Sequence, residues 1–149
     1  MDVYRISRSK WAEHRGGSGV AARWNCKGAK VLYTASSIAL ALLEILVHIK
    51  QDQIPDDYVW IQAEIPETLT VETVYELPES PADYGTMWLN SARSPVLSVP
   101  SVIVPERNYL LNPNHADFAG IQWRAPQRLQ IDSRLSGPGI ASGAGSSSE

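Results

Sequence analysis

Residues 2–6 alternate in polarity, the two-residue period of a strand with one buried face. Gly16, Gly17 and Gly19 then interrupt the period and predict a flexible loop that runs into Val20-Ala21-Ala22-Arg23-Trp24-Asn25. Lys27-Gly28 reads as a turn into a strand over 31–35, and Ser36-Ser37 offers an N-cap for a helix over 38–49. That helix is apolar nearly all round, which predicts burial in the middle of a domain. Residues 58–65 read as a strand closed by Pro66, and 84–92 as a short helix carrying Trp88. Residues 96–105 have strand composition, but Pro100 removes a ladder donor and predicts an edge, a bulge or a break beside Ser101. A turn region over 106–113 and two final strands, 120–124 and 128–131, complete the pattern. From Ser136 onward Gly, Ser and Ala dominate without periodicity, so one domain is expected over 1–135 and a disordered tail over 136–149. Strands interleaved with helices place the chain in the α/β class.

Composition narrows the functional classes. With 149 residues, 44% hydrophobic and 19% charged, the chain can bury one real core. A formal net charge of -3 and scattered lysines and arginines give no basic stripe, which argues against direct nucleic-acid binding. The single Cys26 excludes an internal disulfide framework and a cysteine-based zinc site. His14, His48 and His115 are too widely separated for metal-ligand spacing, so no metal is expected. The apolar run over 38–49 is too short to span a bilayer and contains Glu44 and His48, and the N-terminus lacks signal-peptide organisation. A cytoplasmic protein without a membrane partner is the expectation.

The candidate chemistry centres on the apolar helix. Glu44 and His48 lie one turn apart on one face of it. A carboxylate in such surroundings is costly unless paired. It is therefore either in a structural ion pair with Arg5 or Arg23, or reserved for a cationic group in a substrate. His48, near the helix C-terminus, reads as a capping or core hydrogen-bonding residue before it reads as a catalytic base. Arg23, after the glycine-rich loop and beside Trp24 and Asn25, suits the grip of a phosphate, or is a surface loop arginine. Tyr33 falls one strand from that loop, as a core residue or a site residue. Ser101 lacks the partnered base and orienting acid of a hydrolase nucleophile. Trp11 and Trp88 could serve an oligomeric interface or the core.

Taken in order, Tyr4-Arg5, the loop to Arg23-Trp24-Asn25, Tyr33-Thr34-Ala35, Leu42-Leu43-Glu44-Ile45-Leu46-Val47-His48, Val99-Pro100-Ser101 and Asn108-Tyr109-Leu110-Leu111-Asn112-Pro113 resemble the RES-domain family. The resemblance runs from residue 2 to about 135. Ala22 stands where the family often carries glycine. The resemblance implies a single α+β domain, a mixed, bent β-sheet flanked by helices, similar to ADP-ribosyltransferases of the bacterial-toxin kind. It maps the arginine, glutamate and serine of the family's name onto Arg5, Glu44 and Ser101, and adds Arg23, Tyr33 and His48. On this basis Glu44, Arg23 and Ser101 are the expected catalytic group and Arg5, Tyr33 and His48 the expected substrate-binding group. The implied function is the toxin of a toxin–antitoxin pair that cleaves the nicotinamide–ribose bond of NAD+, with water, phosphate or a protein as acceptor. NAD+ is then substrate and no cofactor is required. The implied partner is an Xre-like helix-turn-helix antitoxin, with a homodimer within the complex as a further expectation.

Overall fold

The structure is a computed structural model that describes residues 1–135; the expected tail, 136–149, lies outside the described residues. In chain order the strands are β1 (Asp2–Arg8), β2 (Leu32–Ala35), β3 (Tyr58–Glu64), β4 (Val71–Thr73), β5 (Val96–Pro100), β6 (Arg107–Leu111), β7 (Gln122–Trp123) and β8 (Gln127–Arg128). Two α-helices, α1 (Ile38–Leu46) and α2 (Pro81–Ser91), flank one mixed sheet in the order β4-β5-β6-β2-β1-β3-β7, with β8 also on β3. All pairs are antiparallel except β4–β5, whose crossover contains α2.

The sheet is split. β1 pairs with β3 through seven residues and β2 with β6 through four, yet β1 and β2 share only the pair Tyr4–Ala35. Past that pair the two strands diverge, so the sheet is two half-sheets joined at one point. One core cluster, with Val3, Leu32, Ala63, Val96 and Leu111, fills one face. A second, with Trp24, Trp88, Leu97, Val99 and Leu110, fills the other under α2. Ala35, Leu40 and Ala41 seat α1.

Several elements depart from the sequence expectation. Residues 106–113 are not a turn region: Arg107–Leu111 is β6, an interior strand between β5 and β2. Asn108 within it and Asn112 just after it weakened the strand signal, while long-range pairing on both edges decided the outcome. β5 is interior rather than an edge, and Pro100 is tolerated because it is the strand's last residue. The predicted break beside Ser101 is present. β4 had no periodic signal in its three residues. α2 begins at Pro81, with Ser80 as N-cap accepting from the Asp83 N–H and proline at the first helical position. The final strands are only two residues each.

α1 is shorter and less buried than its composition suggested. It ends at Leu46, and Val47 caps it in a turn that carries His48. Leu40 and Ala41 are buried, while Leu43 and Val47 are 38% and 59% exposed, so the helix lies on the sheet with one face outward. Trp88 is fully buried and Trp11 is 53% exposed, so the two tryptophans have opposite environments. Among the described residues no helix is long and apolar enough to cross a membrane.

Candidate active site

The divergence of β1 from β2 opens a cavity of about 890 Å³ between α1, the segment before α2, and the loop after the glycines. Tyr4, Arg5 and Ile6 line it from β1, and Tyr33, Thr34 and Ala35 from β2. Residues from both faces of a strand reach one cavity because the strands have parted there. α1 contributes Ala41, Glu44 and Ile45, with His48 and Ile49 just beyond its end. Ala21–Trp24, Glu79–Ala82, Pro100, Val102, Asn108 and Leu110 complete the wall. Of the six predicted site residues, Arg5, Arg23, Tyr33, Glu44 and His48 line the same cavity.

Ser101 reaches it through Glu44. The Ser101 hydroxyl donates to Glu44 Oε2 at 3.2 Å and accepts from the Ile103 N–H at 3.0 Å and the Val104 N–H at 3.5 Å. The loop 101–106 that holds it is closed by the Ser101 N–H donating to the Glu106 carbonyl at 2.9 Å. The Glu106 carboxylate in turn accepts from Ser36 and Ser37, beside the N-terminus of α1, where an anion opposes the helix dipole favourably. Ser37 also caps α1 by accepting from the Leu40 N–H at 3.1 Å. One short loop thus fixes both the start of the helix and the acid two turns along it.

Glu44 is half-buried, not sheltered from water, and among the described residues it forms no ion pair. The structural pairing with Arg5 or Arg23 considered from sequence is therefore absent. Arg5 starts from the sheet face opposite Tyr4, and its Nη1 and Nη2 donate to the carbonyls of Ala12 and Trp11, each at 3.3 Å. Burial, and secondarily the nearby Arg15, hold its pKa below the ordinary guanidinium value.

Arg23 is exposed at the corner of a tight turn closed by the Ala22–Asn25 bridge. The next residue, Trp24, is 3% exposed and packs edge-on to Tyr84 of α2, ring centroids 6.3 Å apart. Asn25, 2% exposed, donates from Nδ2 to the carbonyls of Val20 at 2.9 Å and Ala29 at 3.0 Å. The Tyr33 hydroxyl donates to Asn25 Oδ1 at 2.5 Å and accepts from the Trp24 N–H at 3.2 Å. Burial pushes the Tyr33 phenol up to about 12, opposed in part by the Trp24 N–H.

Three further residues line the cavity: Tyr4 and Asn108, which stand in the resemblance motifs without an assigned site role, and Glu79, which lies in none of those motifs. The Asn-Tyr-Leu-Leu-Asn-Pro segment divides its work: Asn108 faces the cavity, Leu110 and Leu111 are core, and buried Asn112 donates to the Leu89 carbonyl at 3.2 Å.

Comparison with known proteins agrees with this architecture. A chain in the crystal structure of the M. tuberculosis MbcT–MbcA toxin–antitoxin complex shares the fold, with a TM-score of 0.69 at 13% identity over 91% of this chain and 86% of that one. The likeness is one of fold: a mixed α/β domain. The RES domain matches residues 2–132, and the chain belongs to the RES-domain toxin family. It is 38% identical over 127 residues to the Prs ADP-ribosylating toxin of Sphingobium sp. (strain YBL2), covering 76% of this chain and 79% of that one. It is similar to Toxin Res of Yersinia enterocolitica, 38% identical over 134 residues covering 79% and 88% of the two chains. Toxin Res of Pseudomonas putida is 34% identical over 149 residues, covering 91% and 99%.

Proposed function

We propose that this protein is the toxin of a toxin–antitoxin pair and cleaves the nicotinamide–ribose bond of NAD+, lowering the cell's supply of the dinucleotide. The observation that carries the reading is Glu44: an acid in the wall of a largely apolar cavity, held by Ser101 and without a cationic side-chain partner among the described residues. Nicotinamide leaves NAD+ as a neutral ring from a cationic one, so departure needs no general acid. Positive charge instead develops on the ribose in an oxocarbenium-like transition state. A fixed carboxylate opposes that charge and accepts hydrogen bonds from the ribose hydroxyls, with less screening than in open water.

The remaining residues support binding. Arg23 grips the pyrophosphate by charge-assisted hydrogen bonds, and the ring of Tyr33 packs on the nicotinamide. His48 contacts phosphate or orients Glu44 from one turn beyond it. Arg5 keeps the β1 edge of the cavity in shape through its two carbonyl bonds. Ser101 acts on Glu44 by holding it: the hydroxyl donates to the acid, is itself fixed by the Ile103 and Val104 N–H groups, and stands behind Glu44 rather than among the residues that line the cavity.

ADP-ribosyl transfer to a protein is the second reading, favoured by the name of the Sphingobium relative. Both begin with the same bond cleavage. Purified protein incubated with NAD+ should release nicotinamide together with free ADP-ribose, with ADP-ribose 1″-phosphate appearing only in phosphate buffer if phosphate is the acceptor. Label on a macromolecule instead would select transfer, and intact NAD+ recovered after binding would refute catalysis. For the partner, an Xre-like helix-turn-helix antitoxin acting in the cytoplasm is proposed. Expression of the toxin alone should arrest growth, co-expression should restore it, and harmless expression of the folded chain would count against this role.

A further inference from the structure

The turn bearing Arg23 is held more firmly than an exposed loop requires. Its outward residue, Arg23, has no side-chain hydrogen bond or ion pair among the described residues. Its inward neighbours are fixed on three sides. Asn25 spends its amide on the carbonyls of Val20 and Ala29, drawing both ends of the loop together. Its carbonyl oxygen receives the Tyr33 hydroxyl, which also receives the Trp24 N–H. On the far side, Gly85 of α2 lies so close to Trp24 that an added Cβ would stand 1.8 Å from the Trp24 carbonyl oxygen. The adjoining Cys26 N–H donates to Thr86 Oγ1 at 2.9 Å.

A buried pair of polar side chains that satisfies three backbone groups fixes a unique geometry, since any displacement leaves desolvated donors and acceptors unpaired. A guanidinium loses less freedom on binding an anion when its backbone is already immobile. We propose that Asn25 is a positioning residue for the reaction: through its clasp with Tyr33 it holds the Ala22–Asn25 turn and aims Arg23 into the cavity. The Tyr33 hydroxyl is committed to this clasp, while its ring remains available to the cavity. This inference rests on the reading of Arg23 as the anion-gripping group.

The test uses Tyr33→Phe, which keeps the ring and deletes the hydroxyl, and Asn25→Ala, each alone and with Arg23→Ala. Tyr33→Phe should raise KM for NAD+ about tenfold with kcat within about threefold, and add nothing further to Arg23→Ala. A loosened turn should also speed tryptic cleavage of the native protein after Arg23 about tenfold, with cleavage elsewhere unchanged. If Asn25→Ala fails to fold, Tyr33→Phe carries both measurements. Full additivity with Arg23→Ala, or a kcat loss at constant KM, would overturn the proposal. Unchanged cleavage after Arg23 would overturn it as well. If the wild type releases no nicotinamide, the NAD+ reading falls and the proteolysis alone decides whether the clasp holds the turn.

Discussion

Ser101 Oγ lies 3.2 Å from Glu44 Oε2 and donates its hydrogen to it, joining the end of β5 to the last turn of α1 across the wall of the cavity. The serine also accepts from two backbone N–H groups, so its orientation is set before any ligand arrives. The pair therefore works as one unit, with the acid facing the cavity and the serine behind it.

Replacing Glu44 with Gln keeps the shape and removes the charge. Nicotinamide release should fall by about 10²–10³-fold, the usual loss when one preorganised electrostatic group is removed. The thermal midpoint should stay close to wild type, because no ion pair is lost. Wild-type turnover in this variant would refute the role of the acid.

Ser101→Ala frees the carboxylate and strips the acceptor from Ile103 and Val104. A ten- to hundredfold fall in kcat is expected from the misplaced acid, with a stability loss of about 1 kcal/mol for the hydrogen bonds. Ser101→Thr should recover most of both, as read by nicotinamide release and urea denaturation. A covalent intermediate trapped on Ser101 would contradict the positioning role.

Gly85→Ala places a methyl group against the Trp24 carbonyl inside a packed interface. The cost should be about 3 kcal/mol or more, at the upper end for overpacking. Where the protein still folds, KM for NAD+ should rise because the helix no longer seats the Arg23 turn. Denaturant midpoints and steady-state kinetics on the same preparation check both effects.

Glu72 links β4 to α2: Arg93 donates to its two oxygens at 3.0 and 2.9 Å, and Tyr84 donates at 2.9 Å. The Arg93 fork, aided by Tyr84 and opposed by partial burial, holds the Glu72 carboxyl below its ordinary value of 4.5. An acid with a depressed folded-state pKa contributes stability above its unfolded value, and that contribution is lost as pH falls through the folded one. The stability difference between wild type and Arg93→Ala should therefore be full near neutrality and shrink as pH falls below 4.5. Thermal melts across pH 3–7 measure it, and a difference independent of pH would exclude the linkage.

Local signals in the sequence determined much of this protein. The period-two run of β1, the glycine loop, the Ser37 cap and the proline after Val99 each act through near neighbours, and each is where the pattern placed it. The RES motif order also marked Arg5, Arg23, Tyr33, Glu44 and His48, which now line one cavity. Tertiary structure decided what depends on distant partners. β6 is a strand because β5 and β2 satisfy both its edges, and α1 is half-exposed because the sheet offers it one face. The cavity exists because β1 and β2 part after Tyr4–Ala35, which no local window of residues records. Residue type fixed which groups were present, and the geometry of a divided sheet fixed which of them meet.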